Sequence, residues 1–81
     1  MKYFEFKEPY YALIRTEGAN RAAEIYFRAF RYEGREQKEK TRNEALNTFL
    51  IEESETGDLG ELIRQFNENR ESILLLDREL I

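Results

Sequence analysis

Tyr10-Tyr11-Ala12-Leu13-Ile14-Arg15-Thr16-Glu17-Gly18-Ala19-Asn20-Arg21-Ala22-Ala23-Glu24-Ile25-Tyr26 changes its period half-way. Up to Thr16 it is a near-continuous apolar, aromatic-rich run of strand length, and a turn is expected around Gly18. From Asn20 onward Ala22, Ile25, Tyr26, Ala29 and Phe30 recur every three or four positions, with Arg21, Glu24, Arg28 and Arg31 on the opposite side. The stretch therefore predicts a buried strand feeding an amphipathic helix. Asn20 is the expected N-cap, since its side-chain oxygen can accept from a free N–H of the first turn, and Gly34 the expected stop at positive φ.

On the amino-terminal side, Lys2 to Phe6 alternates, placing Tyr3 and Glu5 on one side and Phe4 and Phe6 on the other. Pro9 cannot donate to a ladder, so it marks the entry to the second extended segment. On the carboxyl-terminal side, Arg35 to Asn43 holds no apolar residue and reads as a solvated loop or an exposed helical extension. Ala45 to Ile51 fits a helix through Leu46, Phe49 and Leu50, but Thr48-Phe49-Leu50-Ile51 followed by an acidic turn favours a strand. Asp58 caps a second amphipathic helix, with Leu59, Leu62, Ile63 and Phe66 at i, i+3, i+4 and i+7. Ile73-Leu74-Leu75-Leu76 is a short apolar block of strand size. The expected class is α+β: one domain over residues 1–81, with a three- or four-stranded sheet and two amphipathic helices packed on one face.

Composition narrows the chemistry. Of 81 residues, 41% are hydrophobic, enough for one small core, and 37% are charged against an average of about 25%. A chain this short buries little over half of its unfolded surface, which makes a homodimer that hides more apolar area a reasonable expectation. The absence of cysteine removes disulfides, thiolate nucleophiles and zinc ribbons. Residues 1–8 alternate charge with aromatics and lack the apolar stretch of a signal peptide, and the longest apolar runs are far too short for a bilayer span. Cytoplasmic localisation is the expectation, without a membrane partner.

The opening Met1 to Ile14, the helix Ala22-Ala23-Glu24-Ile25-Tyr26 and the ending Ile73-Leu74-Leu75-Leu76-Asp77 resemble small proteins of phages and other mobile elements in Gram-positive bacteria. The resemblance lies in scaffold residues and carries over no catalytic or ligand-binding position. It implies a setting in which short acidic proteins act by binding something of the host.

Enzymatic chemistry lacks its inventory. There is no His or Cys, the hydroxyl nucleophiles are Ser54, Ser72 and four threonines without a base at motif spacing, and the glutamates lie in solvated patterns. Gly18, Gly34, Gly57 and Gly60 form no phosphate-cradling loop. Glu52, Glu53, Glu55 and Asp58 crowd four carboxylates together, but without the ligand spacing and central Gly of a calcium loop they read as a solvated acidic turn. No cofactor is expected.

Charge is distributed unevenly along the chain. Residues 21–42 carry Arg21, Arg28, Arg31, Arg35, Lys38, Lys40 and Arg42 against four glutamates, a net +3, whereas residues 52–71 carry seven acids against two arginines, a net −5. The basic segment is a candidate nucleic-acid surface, with Tyr26, Phe27 or Tyr32 available for stacking. Four interleaved glutamates and the overall charge of −4 weigh against it. The acidic Glu52, Glu53, Glu55, Asp58 and Glu61 are a candidate partner-binding surface, as in an anti-CRISPR-like inhibitor that imitates nucleic acid. Eleven Tyr and Phe supply either core or an exposed aromatic patch on an open sheet face. The leading expectation is a non-enzymatic interaction or regulatory protein that binds a protein partner or itself. A nucleic-acid-binding regulator is the alternative from another class.

Overall fold

A computed structural model describes residues 1–53 and 58–77. The strands are β1 (Lys2–Phe6), β2 (Ala12–Thr16), β3 (Lys38–Lys40) and β4 (Ser72–Leu76), and the helices are α1 (Ala19–Phe30), α2 (Arg42–Glu53) and α3 (Leu59–Phe66). All strand pairs are antiparallel, in the order β3-β1-β2-β4. The class is α+β, as the sequence implies.

Alternation in β1 sends its residues to opposite faces of the sheet. Phe4 and Phe6 join Ala12, Ile14, Ala22 and Tyr26 in one core beneath α1, and Tyr3 joins Leu13, Ala45, Phe49, Leu62, Phe66 and Leu75 in a second core beneath α2 and α3. The arrangement of two helices on one face is thus corrected to three helices distributed over both faces. The central strands β1 and β2 carry a core on each side, which is why Ala12 to Ile14 are completely buried.

The additional helix is α2, where a strand was expected over 45–51. Its amino terminus is set by a capping box. The Thr41 hydroxyl accepts from the Glu44 N–H at 3.1 Å, and the Glu44 carboxylate accepts from the Thr41 N–H at 2.9 Å. Those hydrogen bonds hold the Glu44 carboxyl below its ordinary pKa. Ala45, Leu46, Phe49 and Leu50 then face the core at helical spacing, while Ile51 points outward and is 71% exposed. Local capping and an i, i+4 stripe outweigh the β-propensity of Thr48 to Ile51. The polar segment Arg35 to Asn43 is likewise not all loop, because Lys38–Lys40 pair with Tyr3–Glu5 as an edge strand.

The end signals of α1 differ from expectation. Gly18 occupies the N-cap in extended conformation, Asn20 lies in the first turn, and the left-handed terminator is Arg31 at φ 64°, whose N–H donates to the Phe27 carbonyl. Gly34 serves a different purpose: a Cβ there would stand 2.3 Å from the Phe6 ring and 2.9 Å from the Tyr26 ring. It is small because the loop backbone lies against aromatic rings. Asp58 does cap α3, accepting from the Gly60 N–H at 3.3 Å.

Both sheet edges resist further pairing. β3 is three residues long with two lysines, and β4 has a bulge that sets Leu74 and Leu75 both toward the α2–α3 core.

Candidate functional site

An aromatic chain leads from the α1 core to the surface. Phe6 stacks on Tyr26 at 4.5 Å, Tyr26 meets Phe30 at 4.6 Å, Phe30 meets Tyr10 at 5.2 Å, and Tyr10 meets Tyr32 edge-on at 5.8 Å. The innermost rings are fully buried, whereas Tyr32 is 56% exposed. Tyr26 also fixes the β1–β2 loop, because its hydroxyl accepts from the Tyr10 N–H at 2.8 Å and donates to the Tyr10 carbonyl at 2.6 Å. Burial raises the pKa of this phenol and keeps it protonated. The Arg35 N–H donates to the Glu8 carbonyl at 2.7 Å, binding the loop after α1 to the loop before β2.

These contacts give the carboxyl-terminal end of α1 a defined surface. Phe27, 47% exposed, and Glu33 form the shared wall of two shallow depressions. One, about 450 Å³, also includes Ala23, Glu24, Arg28 and Gly34; the other, about 490 Å³, includes Pro9, Arg31, Tyr32 and Arg35. Of the two readings of the aromatics, core holds for the sheet, and the alternative of a patch on an open sheet face does not. Both sheet faces are covered, Tyr3, Phe4 and Phe6 are core, and the exposed rings belong to α1 and the segment after it.

The seven basic residues of 21–42 do not form one groove. Arg21 pairs with Glu71 at 2.8 Å and with Glu24 at 3.0 Å. Its guanidinium, with the Thr16 hydroxyl at 2.6 Å, pulls the Glu71 carboxyl down to about 2. Arg28 lines the first depression, Arg31 and Arg35 the second, on the two sides of Phe27, and the three make no ion pair among the described residues. Lys38, Lys40 and Arg42 belong to the other side. Lys40 approaches Glu5 at 3.7 Å, and Arg42 lies over the Phe66 ring at 5.4 Å while donating to the Asn67 side chain. Three arginines of the predicted set are thus brought together.

The predicted acidic set divides as well. Glu52 and Glu53 end α2, Asp58 is committed to capping α3, Glu61 pairs with Arg64 one turn on, and Glu55 lies outside the described residues. Among the described residues no group of three acids is placed to hold a metal ion.

Two polar features escaped the sequence reading. Glu5 is 7% exposed rather than solvated: its carboxylate accepts from the Tyr11 hydroxyl at 2.8 Å and faces Lys40. Burial, followed by this carboxylate, drives the Tyr11 pKa far above its ordinary value, so Tyr11 stays a proton donor in this bond. The sequence signal was the alternation of β1, which puts Glu5 on the same face as Tyr3. Arg15 is 2% exposed and donates to the carbonyls of Phe66 and Arg70, both at 2.6 Å. It ties β2 to the carboxyl-terminal end of α3, where a cation meets the negative end of the helix dipole. No local signal marks it, because the partners lie more than fifty positions away.

A family described as the YosH C-terminal domain matches residues 1–75. The chain belongs to this family. No curated protein and no solved structure matches the chain. Among the described residues no helix is long and apolar enough to cross a membrane. The YosH C-terminal domain family match covers every strand start and all three helices, so the surface around Phe27 and Tyr32 lies wholly within the matched region.

Proposed function

We propose that this YosH C-terminal domain is a non-enzymatic interaction module that docks an acidic protein segment on the end of α1. The reading rests on one observation: Phe27 and Tyr32 are exposed, with Arg28 beside Phe27 and with Arg31 and Arg35 around both rings, and none of these arginines makes an ion pair among the described residues. Aromatic rings rimmed by arginine are the composition of protein-binding hot spots. A protein partner is favoured over single-stranded nucleic acid because Glu33 lines both depressions and interrupts the continuous positive surface that a run of phosphates needs, whereas a segment with spaced carboxylates and an apolar side chain can meet the arginines and the exposed rings. The setting implied by the sequence resemblance, a phage or mobile element acting in the cytoplasm, would make that partner a host protein.

The test is a displayed random-peptide selection against the wild-type domain, with titrations of the selected peptides and of mixed single-stranded oligonucleotides. Acidic peptides bearing an apolar side chain are expected. Binding should fall at least tenfold in Phe27→Ala/Tyr32→Ala, and weaken with salt in the wild type but much less in Arg28→Ala/Arg31→Ala/Arg35→Ala. Peptides that bind these variants as well as wild type, or tighter binding of the oligonucleotides, would remove the reading.

A further inference from the structure

On the opposite side of the sheet, we propose that the depression between β1, the start of α2 and the loop after α3 is a binding site for a phosphate group, held by Arg15 and Arg42. The depression, about 360 Å³, is lined by both arginines together with Tyr3, Asn67, Glu68 and Asn69. Buried charges in proteins are ordinarily paired, yet no carboxylate among the described residues lies within ion-pair distance of the buried Arg15, nor of the exposed Arg42. Glu68, the acid on the rim, is taken by Arg70 at 2.7 Å.

The donors of Arg15 divide in a useful way. Its Nε and Nη1 are spent on the Arg70 and Phe66 carbonyls, which lock the plane of the guanidinium. The Nη2 group takes no protein acceptor, and since no enclosed side-chain nitrogen among the described residues lacks a partner, Nη2 keeps access to solvent; Arg15 lines this depression and a neighbouring one bounded by Phe49, Gln65 and Ser72. Arg42 is oriented by the Phe66 ring beneath it and by the Asn67 side-chain oxygen, which leaves its remaining N–H groups available. Two preoriented guanidinium groups without a carboxylate partner suit a tetrahedral dianion, because planar N–H forks meet phosphate oxygens with charge-assisted hydrogen bonds. The site is separate from the α1 surface and uses none of its residues.

Titrating the domain with inorganic phosphate, a small phosphate monoester such as glycerol phosphate, or acetate while following the arginine Nε–Hε NMR signals tests this. Phosphate is expected to move the Arg15 and Arg42 signals along one saturable curve, with the monoester at least equal if the organic part stays outside. Arg42→Ala, at an exposed position, should weaken phosphate binding at least tenfold. Arg64→Ala, which removes an exposed arginine of α3 outside the depression, should leave it unchanged. Non-saturating shifts, acetate binding as tightly as phosphate, or equal losses in both variants would overturn the assignment.

Discussion

The two faces of the sheet solve burial differently. Beneath α1, a single helix closes the core with rings: Phe4, Phe6 and Tyr26, with the Gly34 backbone laid against them, and the surplus aromatic surface emerges at Phe27 and Tyr32. Beneath α2 and α3, two helices leave room for polar groups among the apolar ones, and each is held by polar partners, Glu5 by Tyr11 and Lys40, Arg15 by two carbonyls at its Nε and Nη1. The α1 face relies on ring packing, with one hydroxyl, that of Tyr26, fixing the neighbouring loop, whereas the other face buries charged groups, so the largest single losses should come from different mechanisms on each.

The largest loss is expected from Arg15→Leu. It leaves the Phe66 and Arg70 carbonyls without their charged donor, and at about 1.5–3 kcal/mol for each hydrogen bond to a charged group the cost is about 3 kcal/mol or more in urea unfolding. A cost under ~1 kcal/mol would show that water replaces the guanidinium. On the α1 face, Gly34→Ala pushes a methyl group into Phe6 and Tyr26, and overpacking of this kind costs about 1–3 kcal/mol. An unchanged unfolding midpoint would mean that the 31–35 loop shifts freely. Tyr26→Phe keeps the ring but strips the Tyr10 N–H and carbonyl of a shared partner, for about 1–3 kcal/mol. Its loss should fall close to that of Gly34→Ala if the loop is held from both sides.

A smaller effect is expected at the ion pair beside α1. The folded-state pKa of Glu71 lies below its ordinary 4.5, at about 2, so its pairing with Arg21 and Thr16 contributes stability above pH 4.5 that is lost as pH falls toward 2. Glu71→Gln should therefore be less stable than wild type at pH 7, and the gap should close between pH 4.5 and 2. The pair is solvent-exposed, so added salt should narrow the gap as well. A gap independent of pH would assign the effect to the Thr16 hydrogen bond rather than to charge. The smallest stability change, within about 0.5 kcal/mol, is expected for Phe27→Ala/Tyr32→Ala, since these rings are largely in water. Near-neutral stability with lost peptide binding would separate the docking surface from the core that builds it.

Individual residues show what was legible in advance. The α1 stripe of Ala22, Ile25 and Tyr26, the Asp58 cap with Leu62 and Phe66, and the alternation of Tyr3 to Phe6 all express local periodicity, and each element formed where expected. Thr41-Arg42-Asn43-Glu44 was equally legible as a capping box, and reading it would have turned Ala45 to Ile51 into a helix. Within the candidate site, the exposure of Tyr32 follows from charge on both sides of it in sequence. The convergence of Arg31 and Arg35 with Pro9 does not, since Pro9 enters only through the Glu8–Arg35 contact.

Sequence alone determined the class, the two best-patterned helices, three of the strands and the exclusion of cysteine and histidine chemistry, because periodicity and inventory are properties of neighbours along the chain. Only tertiary structure decided which face each helix covers, which arginines stand without a carboxylate, and why Gly34 must be glycine. Those outcomes depend on pairing across distant segments: Arg15 with Phe66 and Arg70, Arg21 with Glu71, and Gly34 with Phe6. Charge counted along 21–42 is a sum, whereas recognition depends on which of those charges the fold leaves unneutralised.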